Sequence, residues 1–99
     1  MQEFSDFLRH NYAYVAIATF KAGKFPEAQK LFEEAVKTYS KGFKGAYLLQ
    51  KPNTDEGIAV ILWEKLEDME ENQNKTHEKI LEQMNRMMNH QNMMTYKLF

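Results

Sequence analysis

The sequence predicts one ferredoxin-like α+β domain, with its elements in the order β-α-β-β-α-β. Its 99 residues hold enough apolar material for a single core. Residues 12–20 and 58–64 are apolar on both alternating faces, as strands buried on both sides of a sheet are. Two other segments repeat apolar residues at three- and four-residue steps, the spacing of amphipathic helices. We therefore expect a four-stranded antiparallel sheet with both main helices on one face.

The first half of the chain supplies a strand, a helix and a second strand. Residues 12–20 form the first strand, followed by a turn at 21–24. Pro26 lies in the first turn of the helix, where its missing N–H is tolerated. We expect Gly42 to cap this helix in a left-handed conformation and residues 45–51 to form the second strand. The apolar stripe of the helix consists of Ala28, Leu31, Phe32, Ala35, Val36 and Tyr39.

The second half completes the fold with a hairpin and a second strand–helix–strand unit. Asn74 or Thr76 is expected to cap the second main helix, and residues 1–11 form an N-terminal arm outside the domain of residues 12–99. The stripe of the second helix consists of Ile80, Leu81, Met84, Met87 and Met88. The other elements are a hairpin loop at 52–57, a third strand at 58–64, a short turn or helix at 66–72, a break at 89–92 and a last strand at 93–99.

The order of these elements predicts the sheet and a partner for it. A crossover, a hairpin and a second crossover give the strand order 4-1-3-2, with the two doubly apolar strands in the middle. Both helices pack on one face, so the other face exposes apolar residues of the first strand, either the set Tyr12, Tyr14, Ala16 and Phe20 or the set Ala13, Val15 and Ile17. Covering several hundred Å² at about 25 cal/mol per Å² is a large gain for a small domain. We expect a homodimer formed through this open sheet face.

Composition excludes several classes of function. The net charge is −1 and the basic residues are scattered, so we expect no nucleic-acid partner. The longest apolar run, residues 58–63, is too short to cross a bilayer, so we expect no membrane partner. The chain has no cysteine, which removes disulfides and thiolate chemistry and favours the cytoplasm. The three histidines lack ligand spacing, so no metal is expected.

Three stretches resemble the antibiotic biosynthesis monooxygenase superfamily, the dimeric α+β barrel proteins. Residues 42–49, Gly-Phe-Lys-Gly-Ala-Tyr-Leu-Leu, resemble the entry to the second strand of that family. Residues 55–64 resemble its third strand, which ends in Trp-Glu. The acidic segment 66–71, followed by Thr76-His77, resembles the start of its second main helix. The resemblance covers about residues 12–99 and implies a pocket between the sheet and the helices of each subunit.

The resemblance implies cofactor-free chemistry more readily than haem chemistry. The haem-degrading branch uses an Asn on the first strand, a second Trp and a His on the second helix. This chain has Ala16 and Ala18 near the Asn position, and Trp63 is its only tryptophan. His77 alone is a loose match, so we expect no cofactor.

Six residues are candidates for a site in such a pocket. His77 and Tyr14 are the candidate catalytic residues, because an imidazole or a phenol hydroxyl can assist deprotonation. Trp63, Tyr47, Phe32 and Met84 are the candidate substrate-binding residues, through stacking and adaptable apolar contact. The structural alternatives are that Trp63 fills the core or the dimer interface, that His77 is exposed to solvent or merely hydrogen-bonded in a charged first helical turn, and that the methionines are core filler.

Two hypotheses about function remain open. In the first, the chain is a homodimeric small-molecule-binding protein resembling cofactor-independent monooxygenases that act on quinol-like or polycyclic aromatic substrates. The substrate anion itself would then activate oxygen. In the second, the chain is a non-enzymatic dimeric α+β barrel, a binding or stress-associated module without a catalytic site. A polar group facing the pocket distinguishes the first hypothesis from the second.

Overall fold

The computed structural model describes residues 12–73 and 75–97. The expected N-terminal arm at residues 1–11 and the expected capping residue Asn74 lie outside the described residues. The elements, in chain order, are β1 (Tyr12–Phe20), α1 (Phe25–Lys37), β2 (Phe43–Gln50), β3 (Glu56–Trp63), α2 (Leu66–Glu71), α3 (Lys75–Arg86) and β4 (Met88–Lys97). No helix within this described part is long and apolar enough to cross a membrane.

The four strands form one antiparallel sheet in the order β2-β3-β1-β4. This is the expected order 4-1-3-2 counted from the other edge, and the ferredoxin-like α+β fold is confirmed. Val15 of β1 lies opposite Val60 of β3 on one side and Met94 of β4 on the other. The doubly apolar strands β1 and β3 occupy the centre of the sheet, where each pairs with a neighbouring strand along both of its edges.

Helix α1 ends earlier than the sequence analysis expected. Its C-cap is Thr38, whose N–H donates to the carbonyl of Ala35 at 3.0 Å. Gly42 does not cap the helix; it lies in the turn that leads into β2, with a left-handed φ of +78°. The chain leaves the helix at Thr38, which takes the Tyr39 side chain out of the helical stripe and into the space beneath the sheet.

Strand β4 begins at Met88, five residues before the expected start at Met93. The polar residues 89–92, expected as a break, pair with β1 through their backbone, as in the opposite pair Ile17 and Asn92. An edge strand needs no apolar alternation where its side chains meet solvent, so its sequence carries little strand signal. The prediction that Met88 belongs to the stripe of α3 is wrong, because α3 ends at Arg86 and Met88 is the first residue of β4.

The main core lies between the sheet and the helices α1 and α3. Side chains alternate along a strand, so Ala18 and Phe20 on β1 and Ile61 and Trp63 on β3 share this face. The helices contribute Phe25, Ala28, Phe32, Ala35, Ile80 and Met84, and Met87 joins them from the turn after α3. Trp63 is the most deeply buried large side chain, with 2% of its surface exposed.

The opposite sheet face, here called the open face, carries the alternate residues of the same strands. The described helices pack on the other side of the sheet, so the open face has no cover from them. Tyr47 and Leu49 of β2 are 57% and 53% exposed, and Tyr96 of β4 is 50% exposed. The remaining apolar members are Ala13, Val15, Ile17, Ile58, Val60, Leu62 and Met94. The expected apolar face is therefore present, and its first-strand members are the set Ala13, Val15 and Ile17.

Candidate functional site

Two adjoining cavities lie between the sheet and the helices, with volumes of about 120 Å³ and about 80 Å³. Four residues line both cavities: Tyr14, Tyr39, His77 and Leu81. They come from β1, from the turn after α1 and from α3, so the site forms only when the chain has folded. The shared wall joins the two spaces into one candidate site.

Small and apolar residues form most of the larger cavity. Ala16 of β1, Ala35 of α1 and Ala59 of β3 line it, and Phe32 and Met84 complete its apolar wall. At its outer end lie exposed residues of α3 and β4, namely Leu81, Asn85, Gln91 and Met93. The cavity therefore has an apolar interior and opens between α3 and β4, where two side-chain amides lie at the mouth.

A tyrosine–histidine pair forms the polar part of the interior. The Tyr39 hydroxyl lies 2.7 Å from Nε2 of His77, a hydrogen-bonding distance. The two rings also contact each other, with centroids 5.3 Å apart. His77 is only 7% exposed, so the structural alternative of a solvent-exposed His77 is wrong. His77 and Tyr39 thus place polar groups on the cavity wall.

Burial shifts the protonation equilibria of this pair in a consistent way. Loss of hydration lowers the pKa of His77 from its ordinary value of 6.5, although the nearby Glu78 carboxylate partly opposes this shift. Loss of hydration, together with the neighbouring Tyr14, raises the pKa of Tyr39 to about 12. Burial also raises the pKa of Tyr14. At neutral pH the site therefore holds a neutral imidazole against a protonated phenol.

Two aromatic rings support the tyrosine of the pair. The Tyr39 ring meets Trp63 edge-on, with centroids 4.9 Å apart, and lies 5.5 Å from the Phe43 ring. Trp63 lines the smaller cavity, and its indole Nε1 is buried without a hydrogen-bond partner among the described residues. Trp63 thus fills the core and also borders the site, so its position agrees with both its structural and its functional interpretation.

The side chain of Asn72 holds the chain segment that carries Tyr39. Its Oδ1 accepts from the Ser40 N–H at 2.8 Å, and its Nδ2 donates to the carbonyl of Lys41 at 3.0 Å. Nδ2 also donates to the carbonyl of Asp68 within α2, at 2.6 Å. These bonds tie the turn after α1 to the short helix α2. Asn72 is 6% exposed, so water does not compete with them.

The structure brings five of the six predicted site residues to the cavities. Tyr14 and His77 line both, Trp63 lines the smaller one, and Phe32 and Met84 line the larger one. Tyr14 also donates a hydrogen bond to the thioether sulfur of Met93. The prediction for Tyr47 needs correction, because its side chain is 57% exposed and belongs to the open face. Its neighbours Ala46 and Leu48 alternate with it and pack on the core instead.

Sequence reasoning missed Tyr39 and the three alanines of the site. Tyr39 was assigned to the apolar stripe of α1, and its hydroxyl was the available signal, because a buried phenol needs a partner. Ala16, Ala35 and Ala59 carry no comparable signal, since alanine suits any core. Among the described residues, no group of three or more histidine or acidic side chains is placed to hold a metal ion.

Comparison with known proteins rests on structure. No family model matches the sequence, and no curated protein matches it. A conserved protein from Methanosarcina mazei has a similar structure, with a TM-score of 0.82 and 14% identity over 98% of this chain and 99% of its own. SnoaB, a cofactor-independent oxygenase from Streptomyces nogalater, gives a TM-score of 0.81 and 12% identity over 91% of this chain and 94% of its own.

A protein from Chloroflexus aurantiacus, assigned by name to the antibiotic biosynthesis monooxygenases, is similar as well. Its TM-score is 0.80 at 10% identity, covering 90% of this chain and 93% of its own. At such low identity these likenesses show the fold alone. The chain has the fold of the antibiotic biosynthesis monooxygenase superfamily, which confirms the resemblance expected from the sequence.

Proposed function

We propose that this protein is a homodimeric, cofactor-free monooxygenase that binds a quinol-like aromatic substrate in the cavities beneath its sheet. The single observation that carries the proposal is the buried Tyr39–His77 pair, which places a neutral base in an otherwise apolar cavity. The fold shared with SnoaB, a cofactor-independent oxygenase, supports the same chemistry. The lack of cysteine supports a cytoplasmic location.

The proton leaves the substrate through Tyr39. Nε2 of His77 is engaged by the Tyr39 hydroxyl, so this hydroxyl stands between the imidazole and a ligand in the cavity. A substrate hydroxyl that donates to the Tyr39 oxygen passes its proton to Tyr39 while Tyr39 passes its own to Nε2. Tyr39 never carries a free negative charge, which its raised pKa of about 12 would disfavour. The lowered pKa of His77 keeps the imidazole neutral and able to accept.

The reaction then requires only the substrate anion and molecular oxygen. An electron pair from the ring carbon beside the phenolate forms a bond to O₂, giving a hydroperoxide on that carbon once the distal oxygen is protonated. The O–O bond breaks as the ring hydrogen is lost, which releases water and leaves one oxygen on the ring. A quinol and O₂ become a hydroxyquinone and water, and the quinol supplies all four electrons. The apolar cavity keeps water away from the anion.

The dimer in this proposal forms through the open face. All four strands contribute apolar side chains to the open face, and those of Tyr47, Leu49 and Tyr96 are half exposed or more. Patches of this kind on a small soluble protein mark an interaction surface. A second copy presents the same strands with the same apolar pattern, so a two-fold arrangement covers both faces at once.

Oxygen consumption with a quinol tests the proposal. Wild-type protein should consume oxygen faster than the uncatalysed quinol, and H77Q and Y39F should each lower the catalysed rate by about 10²-fold or more. H90Q is the matched control, because His90 lines neither cavity. A rate that is unaffected by H77Q and Y39F would contradict the proposal. Wild-type protein without any catalysed rate would favour the non-enzymatic binding module instead.

A further inference from the structure

The larger cavity has room for one aromatic ring. Ligand sites for drug-sized molecules have volumes of about 300–1,000 Å³, whereas an apolar cavity of about 150 Å³ holds benzene. The volume of about 120 Å³ here is close to that of the benzene-sized cavity and well below that of drug-sized sites. Together with the adjoining space of about 80 Å³, the site still lies below the volume of drug-sized sites, which leaves too little room for a fused-ring system.

Three alanines from three different elements set this volume. Ala16 and Ala59 are paired neighbours on the central strands β1 and β3, and Ala35 faces them from α1. Ala35 is 5% exposed, so it is part of the packed core and cannot swing away. Interiors are close-packed, so each added methyl group at these positions takes space directly from the cavity.

The polar groups around the cavity are at its two ends. The Tyr39–His77 pair lies at the buried end, where His77 is 7% exposed. The exposed amides of Asn85 and Gln91 lie at the mouth between α3 and β4. The rest of the lining is apolar apart from Tyr14, whose hydroxyl is already engaged by the thioether sulfur of Met93. A ring with one hydroxyl at each of two opposite positions satisfies both ends and fills the middle.

We propose that the ligand of this site is a single-ring 1,4-dihydroxybenzene, and that Ala16, Ala35 and Ala59 determine this size by excluding fused-ring quinols. One hydroxyl donates to Tyr39 at the buried end, and the other meets the amides at the mouth. The inference rests on the proposed function in that it uses the same cavity, but ligand binding does not depend on turnover. Of the substrates expected from the sequence, it retains the quinol-like ones and excludes the polycyclic ones.

Anaerobic titration calorimetry of the full chain tests the size limit without turnover. Hydroquinone should bind at least about tenfold more tightly than 1,4-dihydroxynaphthalene, because a second ring must force apart a packed wall. Phenol should bind about fivefold more weakly than hydroquinone, because it lacks the hydroxyl at the mouth. Tighter binding of the two-ring quinol, or no binding of hydroquinone, would overturn the inference.

Matched variants locate the ligand among the alanines. A59V fills the cavity from β3, and A46V places the same change on the neighbouring strand β2, facing the same core but lining neither cavity. A59V should weaken hydroquinone binding by about tenfold or more, and A46V should leave it within about twofold. A16V repeats the test from β1 in case A59V does not fold. Equal affinities of A16V, A59V and A46V for hydroquinone would place the ligand elsewhere and overturn the inference.

The same ligands under air separate the inference from the proposed function. Hydroquinone that binds as described but consumes no oxygen would contradict the monooxygenase proposal and support the size limit. Oxygen consumption with the two-ring quinol, and none with hydroquinone, would support a monooxygenase and overturn the size limit.

Discussion

His77 occupies a charged stretch of sequence and a buried position in the structure. Its neighbours Glu78 and Lys79 are exposed, yet His77 is in contact with Tyr39 beneath the sheet. Helical periodicity explains this, because His77 shares one face of α3 with the buried residues Ile80 and Met84, at three- and four-residue steps. The sequence therefore contained the signal for the burial of His77, and the polarity of the flanking residues concealed it.

Burial of His77 predicts how stability depends on pH. Its pKa in the folded protein lies below its ordinary value of 6.5, so between these two values the unfolded chain binds a proton that the folded chain does not. Stability is therefore lost as the pH falls from about 6.5 through the folded-state pKa. Urea unfolding of the wild type at fixed protein concentration should show a larger loss of stability between about pH 7.5 and about pH 5 than unfolding of H77Q.

The control for this measurement is Q83N, a small change at an exposed position of α3 that removes no titratable group. It should lose as much stability on acidification as the wild type. If H77Q and the wild type lost equal amounts, His77 would not be held neutral by burial.

The elements differ in how far their sequences determine them. Strands β1 and β3 were predicted within two residues at either end, because only central strands are apolar on both faces. The end of α1 and the start of β4 were not predicted as closely, because tertiary contacts determine both positions. Tyr39 leaves the helix to reach His77, and β4 takes its pairing from β1 while its polar side chains remain in solvent.

The junction of α1, α2 and β2 requires a glycine at position 42. Its φ of +78° is left-handed, and a Cβ atom there would overlap the buried carboxyl group of Asp68. Gly23 has nearly the same φ, +77°, but a Cβ atom there would meet nothing within 4 Å. The two glycines thus share one backbone cost and differ in packing.

Comparing G42A with G23A isolates the packing of Gly42 against Asp68. G23A should destabilise the protein by about 1–2 kcal/mol, the cost of a left-handed alanine. G42A should cost about 1–3 kcal/mol more, since Asp68 must also move. Chemical denaturation of both variants measures the difference. Equal losses in the two variants would mean that α2 yields freely and does not hold the turn that carries Tyr39.

At the scale of the whole molecule, the sheet separates two apolar regions with different roles. One lies under the helices and holds the cavities, and the other is the open face. Topology and composition predicted both regions. The sequence could not predict which small residues meet across the core, because Ala16, Ala35 and Ala59 lie far apart along the chain and become neighbours only in the folded protein.

A charge at the centre of the open face should separate the proposed dimer. Val60 lies in β3 between Val15 and Tyr47 of the adjacent strands. V60K buries two ammonium groups in a two-fold interface, so light scattering should give the 11.8 kDa mass of one chain where the wild type gives twice that mass. Q83K adds the same charge to the exposed side of α3 and should remain dimeric. A wild type of single-chain mass, or a V60K variant of unchanged mass, would contradict the dimer.

The most direct test of the proposed ligand site and dimer is a crystal structure of the protein saturated with hydroquinone, from crystals grown without oxygen. We expect two copies joined through their open faces. In each copy one ring lies among Ala16, Ala35 and Ala59, with one hydroxyl within hydrogen-bonding distance of the Tyr39 oxygen. Cavities that remain empty at saturating hydroquinone, or a ring bound away from the Tyr39–His77 pair, would contradict the proposed ligand site.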